Sequence, residues 1–171
     1  SGAAHMLCHI QIPGTVNLEA RCKGVADGAT EAGAKATILR VPANLDGDVA
    51  GTSAAIEAEL NGDASIDAVV NLATWAADAS AAAIEQLGKT GEVKLGTFDL
   101  SPSTLDRIKA GTQTMAIDQT PYYQGFLSVS TLAAHIDFGT KVATEPVLTG
   151  PAIVDASNID ATFAGVEAGT R

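Results

Sequence analysis

Basic residues are scarce in this 171-residue sequence: ten Lys and Arg stand against twenty Asp and Glu, a formal net charge of −10. Phosphate backbones and anionic lipid surfaces are drawn to Lys/Arg clusters, so nucleic acid and membrane surfaces are poor partners for it. No apolar run approaches the ~20 residues that cross a bilayer, and no charged, then apolar, then small-residue start marks a signal peptide. Phosphate-cradling loops are missing too. Neither GxxxxGK[ST] nor GxGxxG stands between a strand and a helix pattern, which argues against nucleotide. There is no GxSxG elbow, and the one plausible base, His9, falls inside a strand pattern rather than in a loop. Neither a cofactor nor catalysis is therefore expected. Cysteines number two, Cys8 and Cys22. Their separation excludes a CxxC redox or zinc motif and leaves either a disulfide between the first strand and the first helix or two buried thiols.

Aromatics make up only 4% of the residues, so the core must be built from Ala, Val, Ile and Leu. Short apolar or β-branched runs predict strands at Leu7–Ile12, Ala36–Val41, Ile66–Leu72, Val93–Phe98, Thr114–Ile117 and, more weakly, Pro146–Leu148. Between them lie helical spacings, such as Ala76, Ala79, Ala83 and Leu87, or Phe126, Val129, Ala133 and Ile136. Glycines follow the helix patterns at Gly33, Gly62, Gly88, Gly111 and Gly139, where a left-handed residue ends a helix. Ser101-Pro102 and Thr120-Pro121 each place a capping hydroxyl before a proline at the first helical position. Strand and helix alternate, which predicts one α/β domain: a doubly wound parallel sheet in a flavodoxin-like α/β/α sandwich. Residues 1–6 carry neither period and read as a cloning remnant outside the fold. Past Gly139 the pattern weakens into an extended tail, an edge strand or a piece that belongs to a partner domain.

In such sheets, ligands sit outside the strand carboxyl ends. The loops there offer Gln11, Pro13, Gly14 and Asn17, then Asn44 and Asp46, Thr74 and Trp75, Asp99, and finally Asp118 and Gln119. The set is polar, mostly uncharged and has one aromatic. It suits a neutral polyhydroxylated ligand, whose hydroxyls bond to amides and carboxylates while an aromatic covers its C–H face. Metals fit poorly. Asp46, Asp48, Gly51 and Glu57 have the spacing of a calcium loop, but Ala50 and Ala54 fill ligand places, so Asp46 or Asp48 reads as a helix cap. His135 lies mid-helix and reads as a packing or surface residue.

The run Leu95-Gly96-Thr97-Phe98-Asp99-Leu100-Ser101-Pro102 and the run Ala116-Ile117-Asp118-Gln119-Thr120-Pro121-Tyr122-Tyr123-Gln124-Gly125 resemble the type I periplasmic sugar-binding proteins of bacterial ABC transporters, of the ribose-binding class. Asn17-Leu18-Glu19-Ala20-Arg21-Cys22-Lys23-Gly24 and Leu148-Thr149-Gly150-Pro151 resemble the same group. The resemblance implies two α/β lobes closing around a sugar, this chain being like the C-terminal lobe. Residues 7–119 would be the ligand-binding lobe, and 120–171 a crossover helix and tail packing on the other lobe. It further implies that Arg21 donates to sugar oxygens, Asp99 accepts from hydroxyls and Gln119, beside the hinge, does either. Trp75 could stack on a sugar ring or fill a core, and Gln11 and Asn17 complete the candidate set. The implied protein is a non-catalytic, extracytoplasmic binding component that delivers a small neutral sugar or polyol to a membrane permease. The effector-sensing domain of a sugar-responsive transcription regulator shares this fold and is the alternative. The helix from Tyr122 to Phe138 is apolar almost all round, which predicts burial on more than one side and a homodimer through residues 121–138.

Overall fold

The computed structural model describes residues 2–141 and 146–171. Six strands form one sheet in the order β2-β1-β3-β4-β5-β6, with β1 His5–Ile10, β2 Lys35–Arg40, β3 Ala68–Asn71, β4 Lys94–Phe98, β5 Met115–Asp118 and β6 Ala152–Val154. The first five are mutually parallel and β6 pairs antiparallel with β5. Helices α1 (Val16–Glu31), α2 (Val49–Gly62), α3 (Thr74–Gln86) and α4 (Pro102–Ala110) make the crossovers, followed by α5 (Pro121–Phe138) and, after β6, α6 (Ile159–Glu167). The doubly wound expectation thus holds for the parallel strands, and the sheet as a whole is mixed.

Strand alternation divides the core. Leu7, Val69 and Leu95 point to one face and pack with Ile56 and Leu60 of α2 and Ile84 of α3. Cys8, Ile10 and Leu72 point to the other and pack with Leu18 and Cys22 of α1. Cys8 and Cys22 are joined in a disulfide with Cα atoms 5.6 Å apart, so the strand and helix are also linked covalently. Local signals act as expected in several places. Asp48 caps α2 by accepting from the Gly51 amide at 3.0 Å, and Ser101 caps α4 by accepting from the Thr104 amide at 3.2 Å. Gly33, Gly88, Gly111 and Gly139 have positive φ at helix ends.

Four expectations are corrected. Residues 1–6 do not lie wholly outside the fold: His5 and Met6 open β1, and the buried His5 ring hydrogen-bonds Ser65 Oγ at 2.8 Å and Thr37 Oγ1 at 2.9 Å. Those polar partners, rather than an apolar pattern, extend the strand. Gly62 is the last residue of α2, which ends at Asp63 in an extended conformation. Thr120 does not cap α5: its hydroxyl donates to the Thr149 carbonyl, and its backbone is left-handed at φ 48°. Pro146–Leu148 is not a strand; β6 lies instead at Ala152–Val154, and Val154 and Ile159 join Leu105, Ile108 and Ala116 in a third apolar cluster. Covering the outer edge of β5 buries these residues, whereas α5 buries none of its own.

The chain-entropy view of a cross-link closing a loop of about 15 residues assigns the Cys8–Cys22 bond about 3 kcal/mol. A Cys8→Ala/Cys22→Ala double variant is expected to lose about 3 kcal/mol of unfolding free energy and to unfold at a lower urea midpoint, measured by circular dichroism; an unchanged midpoint would contradict it.

Candidate ligand-binding wall

The order of strands reverses about β1, which has β2 on one side and β3 on the other. Crossovers leaving such a point run in opposite directions and open a crevice at the carboxyl edge. Asp99 follows β4 directly. Its amide donates to the Ile117 carbonyl at 2.9 Å, ending the ladder, and its backbone turns at φ 68°, a conformation aspartate tolerates better than most residues. That turn places its carboxylate beside Gln119, whose Nε2 donates to Asp99 Oδ1. Gln119 Oε1 in turn accepts from Arg21 Nη2 at 2.6 Å. The Arg21 guanidinium lies over the Phe98 ring, 4.6 Å from its centroid, a cation–π contact that fixes the head of a long side chain. The three residues singled out as sugar contacts therefore form one chain of hydrogen bonds, running from α1 to the ends of β4 and β5.

Phe98 is the contact that sequence reasoning missed. It was legible as the last residue of a strand, where alternation puts it on the α1 face, opposite Thr97. Beside it opens a groove of about 420 Å³ lined by Phe98, Ile117, Gln119, Gln124, Leu148 and Pro151 among others. Its far wall is the segment returning toward β6. Here two chain passages touch: a Cβ on Gly150 would stand 3.0 Å from the Asp118 carbonyl oxygen and 3.3 Å from Gln119 Cα, so a side chain there would crowd the opposite backbone. Thr149 Oγ1 donates to the Gln119 carbonyl at 3.1 Å, and the buried Asp118 accepts from the Thr120 amide at 2.7 Å and faces Arg171 at 3.0 Å. Gln119 is thus held from both passages.

The remaining predicted residues lie apart from this cluster. Asn17 is exposed in the first turn of α1. Gln11 is buried just past β1. Trp75, in the first turn of α3, is partly exposed and meets the His9 ring edge-on, with centroids 6.4 Å apart and planes at 87°. A second charged feature at this edge was not anticipated. Arg40, the last residue of β2, holds Glu19 of α1 through two bonds, of 3.1 and 2.6 Å, and Glu19 also accepts from the Gly14 amide at 3.0 Å. The Arg40 bond, with the Gly14 amide, keeps the Glu19 carboxyl below its usual range. Among the described residues no group of His, Cys, Asp and Glu is placed to hold a metal.

His9 is fully buried, and loss of water lowers its pKa from 6.5 to about 4. Because the unfolded chain takes up a proton at His9 at higher pH than the folded chain does, the His9 contribution to stability is constant above about pH 6.5 and falls as pH drops toward 4. A shift of this size corresponds to about 3 kcal/mol. Denaturant titrations across that window should show the loss in the unmodified chain and a much flatter dependence in His9→Leu; equal slopes would refute it.

Comparison with known proteins agrees with this architecture. A carbohydrate transporter from Acidothermus cellulolyticus 11B, solved in complex with myo-inositol, superposes with a TM-score of 0.86 at 35% identity, over 99% of this chain and 57% of that one. A solute-binding protein of a carbohydrate transporter from Agrobacterium radiobacter, in complex with D-arabinose, has the same fold, with a TM-score of 0.78 at 24% identity over 98% of this chain and 55% of its own. The xylose/arabinose-binding protein XylF of Sulfolobus acidocaldarius is 33% identical over 76 residues, 44% of this chain and 19% of its own length. The chain therefore spans little more than half of these solved structures and about a fifth of the curated relative. The family model described as a periplasmic binding protein domain matches residues 4–141, more than half of the sequence, and the chain belongs to that family.

Proposed function

We propose that this chain supplies one wall of a two-walled site for a small neutral sugar or polyol, in an extracytoplasmic solute-binding protein that delivers its ligand to the permease of an ABC transporter. The observation that carries this reading is the Arg21–Gln119–Asp99 chain over Phe98. It sets a cation, an amide and a carboxylate side by side, able to donate to and accept from adjacent hydroxyls, against an aromatic surface suited to C–H groups. Relatives that bind myo-inositol, D-arabinose or xylose and arabinose support that ligand class and a transport role rather than effector sensing. The site has the character of a binding surface. Its polar groups hold one another, and none of Arg21, Gln119 and Asp99 is a nucleophile paired with a base. Residues 7–119 form the ligand-binding part in this reading. The crossover helix α5 packs on a second lobe in the longer protein, and in its absence pairs with α5 of another copy.

One wall alone gives up half of the hydrogen bonds and the closure that desolvates the ligand, so the 171-residue chain should bind at best in the millimolar range. In the longer protein, calorimetry with myo-inositol, D-arabinose, D-ribose and D-xylose should find at least one ligand. Removing a hydrogen bond to a charged group costs about 1.5–3 kcal/mol, so Asp99→Ala should weaken that ligand about 10- to 100-fold. Silence from every sugar and polyol, or full affinity in the variant, would contradict the assignment. Light scattering of the 171-residue chain should give twice its 17.3 kDa mass; a stable monomer would rule out pairing through α5.

A further inference from the structure

A row of polar side chains crosses the sheet one layer below the carboxyl edge, on the face covered by α2 and α3. His9 of β1 is in register with Asn71 of β3, and Asn71 with Thr97 of β4; all three are fully buried. The layer two residues earlier on the same strands, Leu7, Val69 and Leu95, is wholly apolar. Part of the polar row is satisfied within the fold. Thr97 Oγ1 donates to the Ala73 carbonyl at 3.1 Å, and Asn71 Oδ1 accepts from Ser80 Oγ of α3 at 3.0 Å. Four buried atoms in the row and beside it make no hydrogen bond of good geometry among the described residues: both His9 ring nitrogens, Asn71 Nδ2 and Gln11 Oε1, although the His9 and Asn71 side chains are close enough to interact with each other. Gln11 stands two residues after His9, in the bend that follows β1.

Leaving a buried polar atom unpaired costs about 1–3 kcal/mol, and most such atoms in folded proteins find a partner. The four atoms are chemically complementary. Asn71 Nδ2 donates, Gln11 Oε1 accepts, and a neutral imidazole does one of each. A water molecule, with two donors and two acceptors, matches this set, and internal waters typically make about three such bonds. We propose that His9, Gln11 and Asn71 form an internal hydration site, and that this tier fixes the Trp75 ring edge-on against His9 at the ligand-facing edge, making His9 a positioning residue for that part of the wall. The imidazole orientation that meets Trp75 at near right angles is then set by the water-bridged bonds to its nitrogens. That Trp75 faces a solute rests on the proposed function; the hydration site does not.

Trp75 is the only tryptophan in the sequence, so near-ultraviolet circular dichroism has a single indole to report. His9→Leu in the full 171-residue chain should lose most of the tryptophan band while keeping the far-ultraviolet spectrum. His9→Gln, whose amide also donates and accepts, should retain the band. A Leu variant with the unmodified band overturns the positioning role, and loss of the band in the Gln variant as well overturns the role of hydrogen bonding in it. A high-resolution crystal structure of the unmodified chain decides the hydration site without any variant. It should contain a water bonded to at least two of His9, Gln11 and Asn71, and a water-free row would refute the proposal. No solute enters these measurements, so their failure and failure of the sugar assignment are separate results.

Discussion

Hydrogen bonding of β1 on both sides by parallel strands is the constraint on which the rest of this molecule depends. Parallel pairing demands that every connection return across a face of the sheet, so β1 to β5 all deliver their carboxyl ends to one edge. Reversal of direction at β1 then sends α1 to one face and α2, α3 and α4 to the other. That division is why Arg21 comes down over Phe98 on one side, while Trp75 meets His9 on the other. The Cys8–Cys22 bond reinforces the same junction by tying β1 to α1.

The second determinant is the place where the chain passes the edge twice. Gln119 and Thr120 leave β5 for α5, and Thr149 to Pro151 come back toward β6. Gly150 allows the backbones to approach, and Thr120 accepts a left-handed backbone that a β-branched residue disfavours. Its hydroxyl and amide are each engaged, with the Thr149 carbonyl and the Asp118 carboxylate. Gln119 is thus oriented by two strand connections as well as by Arg21 and Asp99, and a side chain prepared in this way loses less entropy when a ligand binds.

Beyond that passage the two parts of the C-terminal region behave differently. The segment from β6 to α6 finds apolar partners on α4 and β5 and belongs to this lobe. Helix α5 exposes Phe126, Val129, Leu132 and Ile136 by half or more of their surface. A run of such residues along one helix leaves an exposed apolar face, and the solved relatives that this chain matches are nearly twice as long.

Local chemistry in the sequence was enough to determine the five parallel strands, the caps at Asp48 and Ser101 and most of the glycine stops, because each depends on side-chain type over a few residues, whereas Arg21, Asp99 and Gln119 were singled out by motif resemblance. Tertiary structure alone decided what depended on distant partners. His5 is drawn into β1 by Ser65 and Thr37, 60 and 32 residues away, and the hydroxyl of Thr120 is diverted from helix capping by Thr149. Three-residue β6 has too short a pattern to be seen until β5 offers it an edge. Phe98 looked like an ordinary strand end until Arg21, from another element, settled over its ring. The buried row at His9, Asn71 and Thr97 could be read in the sequence only as single polar residues inside strands. It becomes a row because sheet register, a long-range property, brings the three side by side.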